Sequence, residues 1–148
     1  MIIKIDHIGI VVESLSKEII DFYTKVFGCE QPRFFKLKNP NEEIDYCHMR
    51  IIDNYIELLA PKKGPFVDFL KEKGQGMMVE LCFEVDDIKE FYDRMKTKGI
   101  TLVDSEGNPL PEEKPYAMVP GDDNKYAYLP RDRSFGTIIE IIERCKWR

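Results

Sequence analysis

Two glutamates interrupt strongly apolar stretches of this sequence, and their setting indicates where chemistry takes place. Glu57 lies within YIELLAP, residues 55–61, and Glu140 lies within TIIEII, residues 137–142. A buried glutamate costs free energy unless its carboxylate is paired, protonated or bound to a metal ion. Two glutamates in such similar surroundings therefore predict a site that needs carboxylates.

The two halves of the chain resemble each other when HIGIVVESL, residues 7–15, is placed over ELCFEVDDI, residues 80–88. In this register His7 falls on Glu80, and further along the chain Glu57 falls on Glu140. A repeat of about 75 residues is too long for a solenoid and indicates two fused α+β modules. Each module then offers one polar side chain on its first strand and one on its last strand. We expect these four side chains to converge on one point.

Hydrophobic periodicity predicts the elements that would position these residues: eight strands and two main helices. Ser14 is expected to cap the first helix, which ends at Gly28. Asp87, with Glu90 three residues later, is expected to start the second helix as a capping box, and Gly99 ends it.

The element pattern also sets the expected boundaries. The modules should cover about residues 1–61 and 77–148, joined by a linker at residues 62–76, within one domain. A turn is expected at Asp53–Asn54 and a short strand at residues 116–119.

Composition excludes several functional classes. The 148 residues carry 22 basic and 27 acidic side chains, a net charge of −5, which leaves no electrostatic footprint for nucleic acid. No apolar stretch approaches the length of a membrane span, and no signal peptide is recognised at the N-terminus, so a cytoplasmic location is expected. The four cysteines form no CxxC pair and are expected to be buried thiols. Cys47 and His48 are adjacent, but neighbouring strand residues point to opposite faces, which argues against a catalytic pair.

Several segments together resemble one known family, the vicinal oxygen chelate superfamily, which includes glyoxalases, methylmalonyl-CoA epimerases, extradiol dioxygenases and bleomycin-resistance proteins. The similar segments are DHIGIVV, FYTKVFG, YIELLAP, FEVDDI and FGTIIEI, which occur in order over essentially the whole chain. The resemblance implies a glyoxalase-like fold, in which two tandem βαβββ modules form a half-barrel cleft. It also implies a homodimer.

The same resemblance implies that a divalent metal ion is bound by His7, Glu57, Glu80 and Glu140. Glu80 departs from the family, since many members have histidine there. Oxygen ligands suit Mn and Mg, whereas imidazole suits Zn, Ni and Fe. The metal stays open among Mn, Ni, Zn, Co and Mg. Three alternatives remain: all four residues bind the ion, Glu80 is not a ligand, or no metal binds.

The function that the resemblance implies is a metal-dependent lyase or isomerase, of lactoylglutathione lyase or methylmalonyl-CoA epimerase type. It would act on a small oxygen-rich substrate through an enediolate or enolate, with Glu140 as the base and Glu43 as a weaker candidate for a second acid or base. Dioxygenases need two histidines and a carboxylate for iron, and only His7 lies on the ligand strands, which disfavours that branch. The alternative is a non-catalytic protein that binds a small molecule or antibiotic in the same fold.

Overall fold

The chain consists of seven strands and three short α-helices over residues 1–145, which are the residues that this computed structural model describes. The strands are β1 Ile2–Val11, β2 Glu30–Lys38, β3 Glu43–Ile51, β4 Asn54–Lys63, β5 Met78–Val85, β6 Lys125–Tyr128 and β7 Ile138–Glu143. The helices are α1 Lys17–Asp21, α2 Pro65–Lys73 and α3 Ile88–Thr97, and a π-helical turn, Phe22–Val26, continues α1. The sheet contains parallel and antiparallel pairs, which confirms the predicted α+β class.

The prediction of eight strands was wrong by one within the described residues. The strand expected at residues 116–119 is reduced to a single bridge between Ala117 and Tyr126. Pro115 and Pro120 flank this segment, and a proline has no N–H to extend a ladder in either direction.

The helix ends follow local capping chemistry. Ser16, rather than the expected Ser14, caps α1 and accepts a hydrogen bond from the Ile19 N–H at 3.3 Å. The start of α3 is as predicted, because the Asp87 carboxylate accepts from the Glu90 N–H at 3.0 Å. Gly99 follows α3 with a φ of +72°, which is the left-handed conformation favoured at a helix C-terminus.

Residues 7–79 form one compact unit, called here the N-unit. Its strands lie in the order β2-β3-β4-β1, with β1 parallel to β4 and the other pairs antiparallel. One face carries the core, which includes Ile10, Cys47, Met49 and Leu58 and packs against α1 residues such as Ile19. Because side chains alternate along a strand, the intervening residues of β1, β3 and β4 lie on the opposite face.

Residues 1–6 and 80–145 form the second unit, called here the C-unit. Its strands β5, β7 and β6 lie side by side, with β5 parallel to β7 and β6 antiparallel to it. The core on one face includes Val85, Phe91, Ala127 and Ile141. The first six residues belong here because the fully buried Asp6 receives two hydrogen bonds, at 2.7 and 2.6 Å, from Arg144.

Two sequence predictions about organisation stay predictions: the single domain with its module bounds, and the cytoplasmic location. The predicted end of the second module at residue 148 lies outside the described residues. Among residues 1–145, no helix has the length and apolar character needed to cross a membrane.

Candidate functional site

His7 and Glu57 lie together on the face of the N-unit that is opposite to its core. The β1–β4 ladder pairs Gly9 with Glu57. His7 and Glu57 are both buried, with 3% and 7% of their surfaces exposed. His7 Nε2 lies 3.8 Å from Glu57 Oε2. Two atoms that each bind one ion at about 2.1 Å lie no more than about 4.2 Å apart, so this spacing fits two ligands of one metal.

His48 joins this pair and was missed as a functional residue by the sequence analysis. It lies directly across the β3–β4 ladder from Glu57, and its Nε2 contacts Glu57 Oε2. Its ring also lies 5.6 Å from the His7 ring, measured between centroids. Because His7 and His48 both lie next to Glu57, the number of histidines alone does not exclude a dioxygenase site.

The contact between His48 and Glu57 was missed because the turn between β3 and β4 lies one residue earlier than predicted. Placing the turn at Asp53–Asn54 would pair Glu57 with Arg50 across the hairpin. The turn instead occupies Ile52 and Asp53, so that Ile51 pairs with Asn54 and Glu57 with His48. Strand register depends on such details of the turn.

Cys47, the neighbour of His48, points into the core, as strand alternation predicted. It is fully buried, and burial raises the pKa of its thiol to about 11. A thiol that stays protonated is a poor nucleophile, so this cysteine does not form a catalytic pair with His48.

The C-unit presents a second cluster around Glu140, which is 6% exposed. Tyr128 lies across the β6–β7 ladder, and its hydroxyl donates to Glu140 Oε2 at 2.7 Å. Cys82 lies across the β5–β7 ladder, and its thiol donates to Glu140 Oε1 at 3.4 Å. Both oxygens of this carboxylate therefore accept hydrogen bonds from side chains.

Glu80, which is also 6% exposed, lies on the same strand face as Cys82 and belongs to the same cluster. Burial raises the pKa of the Tyr128 hydroxyl well above its usual value, and the charges of Glu140 and Glu80 raise it further. Tyr128 is therefore a hydrogen-bond donor that keeps its proton at physiological pH.

Glu43, the predicted second acid or base, begins β3 and is partly exposed, and its carboxylate lies 3.7 Å from the Lys38 ammonium. Its neighbour Glu42 is better shielded, with 8% of its surface exposed. Its backbone N–H donates to the Asn39 side chain at 2.8 Å, and its side chain lies close to Gly64. Glu42 is thus a second candidate that the sequence analysis did not separate from Glu43.

The donor set suits a divalent cation in each unit considered separately. The N-unit offers an imidazole and a carboxylate at ligand spacing, and the C-unit offers two buried carboxylates on one face. Burying several carboxylates is costly, and a divalent ion would offset that cost. That His7, Glu57, Glu80 and Glu140 converge on one point stays a prediction.

Comparison with known proteins places these features in a family context. The model of the glyoxalase/bleomycin resistance protein/dioxygenase superfamily matches residues 6–117. The mitochondrial methylmalonyl-CoA epimerase of Dictyostelium discoideum is 27% identical over 107 residues, which are 68% of this chain and 60% of that protein. The chain spans 58–63% of the length of this relative and the similar bovine and human enzymes.

Two solved structures show the same fold. The Mycobacterium tuberculosis methylmalonyl-CoA epimerase is 21% identical, with a TM-score of 0.77 over 97% of this chain and 89% of that chain. A variant of the Streptomyces coelicolor methylmalonyl-CoA epimerase, in complex with 2-nitronate-propionyl-CoA, is 18% identical, with a TM-score of 0.71 over 99% of this chain and 97% of that chain. The predicted glyoxalase-like fold is therefore confirmed.

Proposed function

The chain belongs to the glyoxalase/bleomycin resistance protein/dioxygenase superfamily, and we propose that it is a metal-dependent isomerase of the epimerase type. The observation that carries this proposal is the buried Glu140 carboxylate, which is held by hydrogen bonds on a strand face that it shares with Glu80. Such a carboxylate is suited to move a proton to and from a carbon next to a carbonyl group.

The relatives support an acyl thioester of coenzyme A as the substrate class. The curated relatives compared above are methylmalonyl-CoA epimerases, and the Streptomyces structure contains a coenzyme A ligand. They give no support to the lactoylglutathione lyase branch. We therefore propose a small 2-substituted malonyl-type thioester, in which two neighbouring carbonyl oxygens flank an acidic carbon.

The site residues are proposed to bind the ion and to transfer the proton. His7, Glu57, Glu80 and Glu140 would hold a divalent ion, and such an ion lowers the barrier by polarising a carbonyl oxygen. Glu140 takes the proton from one face of the substrate carbon. An epimerase needs a second carrier to return a proton to the other face, and Glu43 is proposed for this role. Glu42 is the alternative because it is the more buried of the two.

One observation favours the second candidate function, a non-catalytic binding protein. Tyr128 and Cys82 both donate to Glu140, so this carboxylate is hydrogen-bonded without an ion. In that case the same face would hold a small molecule through hydrogen bonds, and no proton would be exchanged.

Proton exchange in heavy water tests the proposal directly. The purified protein, stripped with a chelator and then supplied with Mn, Co, Ni, Zn or Mg, is incubated with methylmalonyl-CoA in D₂O. Mass spectrometry then follows deuterium entering the 2-position. Glu140→Gln should slow this exchange by about 10²–10⁴-fold, which is the usual contribution of a general base.

Glu84→Gln is the matched control, because Glu84 also lies on a strand of the C-unit but pairs with Lys4 at 3.6 Å. Its exchange rate should equal that of the wild type. Glu42→Gln and Glu43→Gln decide between the two candidates for the second carrier. An absence of exchange with every ion would reject the epimerase, and turnover of a methylglyoxal–glutathione hemithioacetal instead would support the lyase branch.

A further inference from the structure

The two units place a hydrogen-bond donor at matching positions beside their last-strand glutamates. In the N-unit, His48 on β3 lies directly across an antiparallel ladder from Glu57 on β4. In the C-unit, Tyr128 on β6 lies directly across an antiparallel ladder from Glu140 on β7. Residues that face each other in this way have their Cβ atoms about 5 Å apart, so their polar tips can meet.

In both units the donor reaches a carboxylate oxygen of the last-strand glutamate. His48 Nε2 contacts Glu57 Oε2, and the Tyr128 hydroxyl donates to Glu140 Oε2 at 2.7 Å. The residue types differ, since one is an imidazole and the other a phenol. What the repeat preserves is therefore a donor at this place.

Three aromatic rings pack around the His48 ring. The ring centroids of Phe35, Tyr46 and Tyr55 lie 5.3, 5.6 and 5.9 Å from that of His48. A donor that is packed in this way can fix the carboxylate that accepts from it.

The same comparison of the two units also shows a difference between Glu57 and Glu140. The side-chain partner of Glu140 on the parallel strand is Cys82, whose thiol donates to Oε1 at 3.4 Å. The corresponding partner of Glu57 is Gly9, which has no side chain. Glu140 thus accepts from the side chains of both its ladder partners, whereas of the two ladder partners of Glu57 it is His48 that has a side chain.

We propose that His48 and Tyr128 are positioning residues, each of which holds the last-strand glutamate of its own unit in the orientation that the site requires. This inference rests on the proposed function, because it assumes that Glu57 and Glu140 bind a divalent ion. Neither residue is itself a ligand. Removing such a supporting hydrogen bond typically weakens metal binding or activity by about 10–100-fold.

Four variants test the proposal by the affinity for Mn²⁺, measured by calorimetry, and by the rate of deuterium exchange. His48→Leu and Tyr128→Phe remove the donors and should each weaken Mn²⁺ binding by about 10–100-fold. Arg50→Gln and Tyr126→Phe are the controls and should bind Mn²⁺ like the wild type. Arg50 lies two residues along β3 and donates to the Ile52 carbonyl, and the Tyr126 hydroxyl donates to Asp122.

A conservative change separates positioning from a merely structural role. His48→Gln keeps an N–H donor at this place. The loss in the logarithm of the Mn²⁺ affinity should therefore be at most half of the loss that His48→Leu causes. Wild-type affinity in His48→Leu and Tyr128→Phe would overturn the proposal. Equal losses in the Leu and Gln variants would also overturn it for His48.

The histidine rings provide a second readout, which does not depend on a measured affinity. The chain has two histidines, so ¹⁵N-histidine labelling gives signals from two imidazoles, and His48→Gln assigns them. On adding Zn²⁺, the His7 ring should acquire the nitrogen shift of a metal-bound imidazole, and the His48 ring should not. A metal-bound shift for His48 would make it a ligand and overturn the proposal.

Failure of the proposed function is distinguishable from failure of this inference. If the wild type binds none of the ions, the epimerase proposal fails. The ¹⁵N chemical shifts of the His48 ring in the metal-free protein then test whether His48 positions Glu57. They should change in Glu57→Gln and stay unchanged in Glu84→Gln. Unchanged His48 signals in Glu57→Gln would overturn the positioning role as well.

Discussion

The buried glutamates Glu57 and Glu140 are each contacted by a side chain from the neighbouring antiparallel strand. Apolar runs around Glu57 and Glu140 predicted their burial, and both are buried. His48 and Tyr128 reach these glutamates only through strand pairing, and the register of that pairing depends on turns and bulges that the sequence does not fix. The sequence therefore predicted the charged groups of the site better than their partners.

At the residue scale, the Asp6–Arg144 pair should contribute strongly to stability. Asp6→Asn removes the charge that pairs with the Arg144 guanidinium and leaves that cation partly buried without its partner charge. Breaking a buried pair in this way costs about 3–5 kcal/mol in the free energy of unfolding. Urea denaturation measures the change, and Lys4→Gln is the control because its partner pair with Glu84 is more exposed and should cost no more than about 1 kcal/mol. A loss below about 1 kcal/mol in Asp6→Asn would contradict the role assigned to this pair.

The thiol of Cys47 should resist alkylation in the folded protein. Its pKa of about 11 means that the reactive thiolate is scarce at pH 8 and becomes more abundant as the pH rises towards 11. Iodoacetamide at pH 8, followed by mass spectrometry, should modify the partly exposed Cys145 first and leave Cys47 unmodified until the protein is unfolded. Early modification of Cys47 would show that β3 opens readily.

At the element scale, prediction succeeded where a local interaction decides the structure. The α3 cap at Asp87 and the glycine after the helix are both local, and both were predicted correctly. The first helix was less clear because Ser14 and Ser16 are both suitable caps, and the structure uses Ser16. The strand at residues 116–119 failed because its flanking prolines outweigh its apolar character.

The cap of α3 provides a test at this scale. Asp87→Ala removes the acceptor of the Glu90 N–H and should lower the free energy of unfolding by about 1 kcal/mol, as expected for an N-cap. Asp87→Ser keeps an acceptor and should retain most of the stability. Asp93→Ala is the control, since Asp93 lies on the exposed surface of α3 and pairs only with Lys89 among the contacts described for it. Equal losses in the Ala and Ser variants, measured by thermal and urea denaturation, would exclude the capping role.

At the scale of the whole molecule, an exposed sheet edge in the N-unit leads us to predict assembly. Strand β2 lies at the end of the strand order, and Phe34 and Phe35 on it are 59% and 40% exposed. Exposed apolar edge strands tend to pair with another chain. We expect sedimentation at tens of micromolar to give a homodimer of twice the 17.4 kDa chain mass. Phe34→Glu should shift it to the monomer and Lys36→Glu should not, whereas a monomeric wild type would contradict the prediction.

The proposed metal binding would connect the site to the stability of the entire chain. An ion that binds only the folded state stabilises it by mass action, by about 2.7 kcal/mol at one hundred times its dissociation constant. For a domain of this size, that corresponds to a rise of about 5–10 °C in the melting temperature. Glu140→Gln should abolish most of this rise, because a neutral amide no longer offsets the dehydration of the ion. Melts of wild type and variant, with chelator and with each added ion, measure the difference, and a wild type that shows no shift with any ion would leave the binding-protein alternative in place.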